Sequence, residues 1–201
     1  GRVIFPGAGY LEVARATGAV AMHGVYFLQP LAIEVQGLLV ECVLSAGRFE
    51  VRSGEDGALE HATVHCSGGT TTDGTAMQRV DHALQRGHSG AAADVLALYD
   101  GFNGVGLQYG PGYRTLVSGW GSAIDVLARL RARVTHEGTQ VHPADLDGAI
   151  QLGTCASMGD GETRLPFAVD VAVLYAVLSL GMWATAAQES GEVSLVTMGG
   201  I

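Results

Sequence analysis

The residues best placed to do chemistry in this sequence are Asp147 and Gln151, within Val141-His142-Pro143-Ala144-Asp145-Leu146-Asp147-Gly148-Ala149-Ile150-Gln151. The stretch reads as a helix started by Pro143, because the first helical position has no need of a backbone N–H. Asp147 and Gln151 are spaced i, i+4, so their side chains share a face. Leu146, Ala149, Ile150 and Leu152 are apolar and predict a buried helix. A carboxyl held away from water is pushed toward the pKa range useful to a general acid. Spacing alone leaves a second possibility open, that Asp147 is a partly solvated acid near a helix end.

Helix and strand patterns recur in the order that could position such a pair. Gly9 to Met22 has helical spacing, with Tyr10, Val13, Ala14, Val20 and Ala21 on one face. Strand patterns follow at Val25 to Leu31, Ala32 to Ser45, Phe49 to Ser53 and Glu60 to Ser67, with turns at Gly47 and Ser53 to Gly57. Asp73 to Gly90 is polar and aperiodic. Asp94 to Phe102 predicts a short amphipathic helix, and strands at Arg114 to Trp120 and Ile124 to Val134 lead to the helix at Pro143 to Met158. Strands near Phe167 to Ala176, Leu178 to Ala187 and Val193 to Met198 are expected to close the second half. Periodicity gives an α+β chain of two similar halves, divided as 1–85, a linker at 86–93, and 94–201.

Five segments, in order, resemble the dehydratase domain of modular polyketide synthases. Gly1 and Pro6 in Gly1-Arg2-Val3-Ile4-Phe5-Pro6-Gly7 supply Gly-x4-Pro, and Asp147 and Gln151 supply Asp-x3-Gln. Leu107-Gln108-Tyr109-Gly110-Pro111-Gly112-Tyr113 is similar to the family's Gly-Tyr-x-Tyr-Gly-Pro-x-Phe, with Leu107 for its first Tyr and Tyr113 for its Phe. Val25-Tyr26-Phe27-Leu28-Gln29-Pro30-Leu31 and Leu165-Pro166-Phe167-Ala168-Val169-Asp170 match an early strand and a segment after the second helix.

The resemblance implies a double hotdog, two tandem halves in which an antiparallel sheet wraps a central helix. It implies elimination of water from a 3-hydroxyacyl thioester on an acyl carrier protein. Asp147 would be the acid, with Gln151 and Tyr109 positioning its carboxyl. The N–H of Gly7, at a helix N-terminus, is the candidate donor to the thioester oxygen, although a plain turn glycine fits equally well. Phe5, Pro6, Gly110, Pro111, Tyr113, Leu165 and Phe167 would line the substrate path or pack as wall.

The family's base is the His four residues before the motif glycine. That glycine is Gly1, so the base is expected upstream of residue 1. His142 is near Asp147, but the family's His-Pro pair opens the helix without being the base, and a structural role is expected for it. A domain that moves the double bond or closes an oxygen ring, and a non-catalytic scaffold, are the alternatives. Domains that only isomerise tend to lose the acid, so Asp147 weighs against that variant.

Composition narrows the partners. The net charge is −9, from 20 acids against 11 Lys and Arg, and 48% of the 201 residues are hydrophobic. Such a chain is poorly suited to nucleic acid, which needs clustered base. The cluster that stands out is Arg129, Arg131 and Arg133, which strand alternation would place on one face, solvated or docking an acidic carrier protein. Cys42, Cys66 and Cys155 form no Cys-x2-Cys, which favours a reducing cytoplasm. His61, His65 and Cys66 do not share a strand face, so no metal is expected. No cofactor is implied beyond the carrier's phosphopantetheine. The longest apolar stretch, Phe167 to Trp183, is broken by Asp170, Ser179 and Gly181, and no membrane span is expected. By the same resemblance the chain is one piece of a larger synthase and homodimerises, with the strand at Val25 to Leu31 as the candidate interface.

Overall fold

Pro6 cannot continue a strand ladder, and its extended backbone makes it the N-cap of helix α1, Gly7–Ala16. The helix buries Ala8, Tyr10, Leu11 and Ala14. It stops at Thr17, whose N–H and hydroxyl both donate to the Ala14 carbonyl, at 3.1 and 2.6 Å. Gly18 then takes a φ of +102°, a left-handed conformation natural to glycine at a helix end. The expected helix to Met22 is therefore too long. Ala21 and Met22 are the start of strand β1, and Leu11 belongs to the buried face that the spacing missed.

The structure, a computed structural model, describes residues 3–34, 36–55, 62–72, 91–121, 125–135, 137–156, 168–173, 182–187 and 192–197. The chain groups into two compact units, one of residues 1–76 and 165–176, the other of 77–164 and 177–201.

The first unit carries β1 (Ala21–Phe27), β2 (Leu38–Ser45), β3 (Arg48–Glu55), β4 (Thr63–Thr71) and β8 (Ala168–Val173), in the order β2-β3-β4-β1-β8. Ala46 and Gly47, with φ of 49° and 73°, make the two-residue turn joining β2 and β3. Helix α1 packs on this sheet over Met22, Val25, Phe49, Val51 and Cys66. One expectation is overturned: β8 does not close the second half, but pairs antiparallel with β1 from Ala21↔Val173 to Tyr26↔Ala168.

The second unit carries β5 (Ala91–Ala93), β6 (Leu116–Gly121), β7 (Asp125–Leu130), β9 (Met182–Ala187) and β10 (Val193–Thr197), in the order β10-β9-β7-β6-β5. Residues 91–93 at the end of the expected linker are thus strand. Helix α2, Val95–Gly104, starts on Asp94, whose carboxylate accepts the N–H groups of Leu96 and Ala97 at 2.9 and 3.1 Å. Helix α3, Pro143–Ala156, is the central helix of this unit and packs on β7, β9 and β10. Tyr99, Phe102, Leu116, Leu130, Ala149, Leu152 and Met182 fill the space between helix and sheet.

Among the described residues all strand pairs are antiparallel, and each unit is a hotdog half with its own helix. Among the same residues no helix is long and apolar enough to cross a membrane.

Candidate active site

Helix α3 positions the acid. Its backbone sits so close to the sheet that a Cβ on Gly148 would lie 2.2 Å from the Thr115 hydroxyl and 3.3 Å from a Leu130 methyl. The glycine after Asp147 is what lets the helix seat there. Thr115 in turn donates its hydroxyl to the Ala144 carbonyl at 3.2 Å.

His142 caps this helix. Its Nδ1 accepts the Ala144 N–H at 3.1 Å, and its carbonyl accepts the N–H groups of Asp145 and Leu146. Burial, and next the Arg133 charge, hold its ring below the usual 6.5. A ring that accepts at Nδ1 and stays neutral serves as a cap, the structural role expected for it.

Two acids on α3 have opposite surroundings. Asp145 is 1% exposed and its Oδ2 lies 2.7 Å from Nε of the half-buried Arg133, a partly buried ion pair. Arg133 is thereby turned toward the helix, because β7 ends at Leu130; Arg131 spends a guanidinium N–H on the Arg114 carbonyl. The single arginine face expected over 129–134 does not form, since only Arg129 lies in the strand.

Asp147 makes no ion pair among the described residues. Burial pushes its carboxyl up from 3.8 to about 6, while the Gln151 hydrogen bond pulls the other way. Gln151 is 1% exposed, and its Nε2 donates to Asp147 Oδ2 at 2.7 Å and to the Tyr113 carbonyl at 3.1 Å. Tyr99 donates its hydroxyl to Gln151 Oε1 at 3.1 Å and accepts the Leu116 N–H at 3.2 Å. Tyr99 was not foreseen. The signal was there, as a hydroxyl on the inward face of the helix at Asp94 to Phe102, three residues before Phe102.

The other foreseen residues fall into two groups. Tyr113 joins Asp147 and Gln151: its carbonyl holds the amide, and its phenol is pushed above 10.0 by burial and then by the Asp147 charge, against the pull of Arg133. Gly110 and Pro111 form the exposed turn that delivers it, closed by the Tyr113 N–H on the Gly110 carbonyl. Tyr109 packs edge-on against Phe102 and Tyr99, with ring centroids 5.2 and 6.3 Å apart.

In the first unit, Phe5, Pro6 and Gly7 gather at the start of α1. The Phe5 ring lies 5.0 Å from Tyr10 and fills the space over Gly9, where a Cβ would approach it to 2.6 Å. The Pro6 N-cap makes no side-chain capping hydrogen bond, and a Cβ on Gly7 would meet the Phe27 ring at 3.4 Å. Leu165 and Phe167 lie outside the described residues, as do Gly1 and His61. His65 has both ring nitrogens engaged, Nε2 with the Ser53 hydroxyl at 2.7 Å and Nδ1 with the Gln29 carbonyl at 3.1 Å.

Similarity to known proteins converges on one family. Residues 77–197 match the family described as polyketide synthase dehydratase N-terminal domain. Polyketide synthase PksN of Bacillus subtilis is 26% identical over 96% of this chain and 4% of its own length. Polyketide synthase ThaG of Burkholderia thailandensis is 30% identical over 75% of this chain and 3% of its own length. Mycoketide-CoA synthase of Mycobacterium tuberculosis is 28% identical over 83% and 4% respectively. The chain thus spans a few hundredths of these relatives. Among solved structures, the dehydratase domain from the CurF module of curacin polyketide synthase superposes with a TM-score of 0.81 at 23% identity, over 98% of this chain and 79% of that one. A CurK dehydratase with asparagine in place of an aspartate, described as an inactive mutant, superposes with a TM-score of 0.80 at 22% identity, covering 98% and 79%.

Proposed function

The chain belongs to the polyketide synthase dehydratase family, and from that premise we propose that it eliminates water from a 3-hydroxyacyl thioester carried on the phosphopantetheine of an acyl carrier protein. The observation that carries the proposal is the Asp147 carboxyl, titrating at about 6 and oriented by an amide where a cation would have kept it ionised. A carboxyl in that range is protonated often enough to donate and ionised readily once it has donated.

In the proposed step a base takes the α-proton, the C–H electrons become the α,β double bond, and the C–O bond breaks. The departing hydroxyl takes the Asp147 proton and leaves as water. The base is the His expected four residues before Gly1, and the Gly7 N–H donates to the thioester oxygen as it gains charge. Gln151 positions the acid, and Tyr109 supports it from the aromatic cluster. Phe5, Pro6, Tyr113 and the Gly110-Pro111 turn, with Leu165 and Phe167, line the acyl path. Proton transfer alone completes this elimination, so the proposed step calls on no metal or redox cofactor.

The partners proposed are the acyl carrier protein and the other domains of a synthase, since the relatives are synthases many times longer than this chain. The free thiols of Cys42 and Cys66 fit a cytoplasmic setting. A homodimer is also proposed, and a monomer in light scattering of the intact module at micromolar concentration would exclude it.

The deciding experiment is Asp147→Asn in the intact synthase module, followed by mass spectrometry of the 3-hydroxyacyl carrier. Loss of the proton donor should slow dehydration by about 10²–10⁴-fold. Dehydration at near the wild-type rate would remove Asp147 from the mechanism.

A further inference from the structure

Hydrogen-bond directions around Gln151 form a single committed sequence. The Leu116 backbone N–H can only donate, and it donates to the Tyr99 hydroxyl at 3.2 Å. With its oxygen accepting there, Tyr99 sends its own proton to Gln151 Oε1 at 3.1 Å. That contact identifies Oε1 as the acceptor end of the amide and turns the Nε2 end toward Asp147 Oδ2 and the Tyr113 carbonyl. An amide turned the other way would offer an oxygen to both of those acceptors. Tyr99 is 5% exposed and Gln151 1%, so water competes poorly for these bonds.

From this geometry we propose that Tyr99 is a positioning residue for the acid: it ties Gln151 to the first residue of β6 and so sets the direction in which the amide holds the Asp147 carboxyl. The inference rests on the dehydratase role of Asp147, and it adds a residue of α2 that the Asp-x3-Gln motif does not contain. Tyr99 touches no reacting atom. Its influence passes through Gln151, whose hydrogen bond to Asp147 opposes the upward push of burial. With the relay loosened, the carboxyl moves further up and becomes a weaker proton donor. The other charged or titratable groups around these residues include, among the described residues, Tyr109, whose ring centroid lies 6.3 Å from that of Tyr99, Tyr113 before β6, Arg133 after β7, Asp145 on α3, and Arg114, whose guanidinium sits 5.5 Å over the Tyr99 ring. None of them changes in the variants below.

The test is Tyr99→Phe in the intact module, alone and combined with Gln151→Ala, with dehydration kinetics and the titration of Asp147 followed by carbon NMR. Tyr99→Phe keeps the ring packed on Phe102 and removes only the hydroxyl. Its kcat should fall about tenfold with KM unchanged, the worth of one buried hydrogen bond. The alkaline limb of the rate profile and the NMR titration should both move to higher pH. On the Gln151→Ala background, Tyr99→Phe should cost nothing further, because the element it acts through is gone. An unchanged titration, or the same rate loss on both backgrounds, overturns the proposal.

If Tyr99→Phe does not fold, 3-fluorotyrosine at position 99 decides: a stronger donor of nearly the same size should move the Asp147 titration down, and an unmoved titration rejects the relay. The NMR titration needs no turnover. A wild-type module that releases no water would therefore sink the dehydration reading, while the titration would still judge Tyr99.

Discussion

The central helices of the two units treat a buried acid in opposite ways. On α1, Glu12 is 5% exposed, and both of its oxygens are held by the Arg15 guanidinium one turn on, at 2.6 and 2.8 Å. On α3, Asp147 has its partner one turn on as well, but that partner is the neutral amide of Gln151. A bidentate guanidinium supplies charge as well as hydrogen bonds. An amide supplies direction without charge, so burial wins and the carboxyl rises to about 6. Asp145 is the control within α3: two residues earlier on the same helix, it has Arg133 at 2.7 Å and a structural role. A carboxyl able to hold a proton at higher pH is made here by what is left out of its surroundings.

The strongest way to break the contrast is to take the cation from α1. Arg15→Met keeps most of the side-chain volume and takes the bidentate cation from the buried Glu12, which should cost about 3–5 kcal/mol of stability at neutral pH. Arg15→Lys should recover part of the loss, because it returns the charge without the fork. Thermal unfolding of both variants and the parent would check both points. An Arg15→Met deficit no larger than that of Arg15→Lys would mean that Arg15 acts by packing alone.

The complementary change removes the charge from α3. The folded-state pKa of Asp147 lies above its ordinary value, so its contribution to stability is full below about 3.8 and is lost as pH rises through about 6. An asparagine amide in its place stays neutral throughout. Asp147→Asn should therefore be more stable than the parent at pH 7, by on the order of 2–3 kcal/mol, and equal to it below about pH 4. The same substitution that removes the proposed proton donor would strengthen the fold, as the proposal requires of a group kept for chemistry at a cost to stability. Equal stability at pH 7 would show that burial does not hold the carboxyl up.

What was legible in the sequence was local. The i, i+4 spacing placed Asp147 with Gln151, and the amphipathic pattern from Asp94 and the Pro143 start gave two helices. The end of α1 was missed because apolar spacing runs on through Ala21 and Met22, whereas Thr17 and Gly18 close the helix by backbone bonds that periodicity does not register. The partnership of β8 with β1 was missed because alternation shows that a strand exists and says nothing of its neighbour. Arg133 looked like one of a row until β7 ended three residues short of it and Asp145 claimed its guanidinium. Tyr99 escaped for a related reason, since its spacing gives a buried face but not the residue that its hydroxyl meets 52 positions on.

The finest test of the contrast lies at the start of α3, where a histidine stands one turn from the acid. His142 would be the obvious base by sequence proximity, yet its Nδ1 accepts the Ala144 N–H and cannot take a proton without giving up that bond. Burial and Arg133 lower its pKa below 6.5, against the opposing pull of Asp145 and Glu137, the latter's Oε2 being 3.8 Å from Nε2. The cap's contribution is thus full above about 6.5 and fades as pH falls through the lower folded-state value. His142→Ala should lose about 1 kcal/mol at pH 8, the ordinary worth of an N-cap, and less at pH 5. Its dehydration rate should stay close to the parent's, far above that of Asp147→Asn. A rate collapse in a His142→Ala protein that melts within a few degrees of the parent would make His142 a catalytic group, and the acid of α3 would then be half of a pair on one helix.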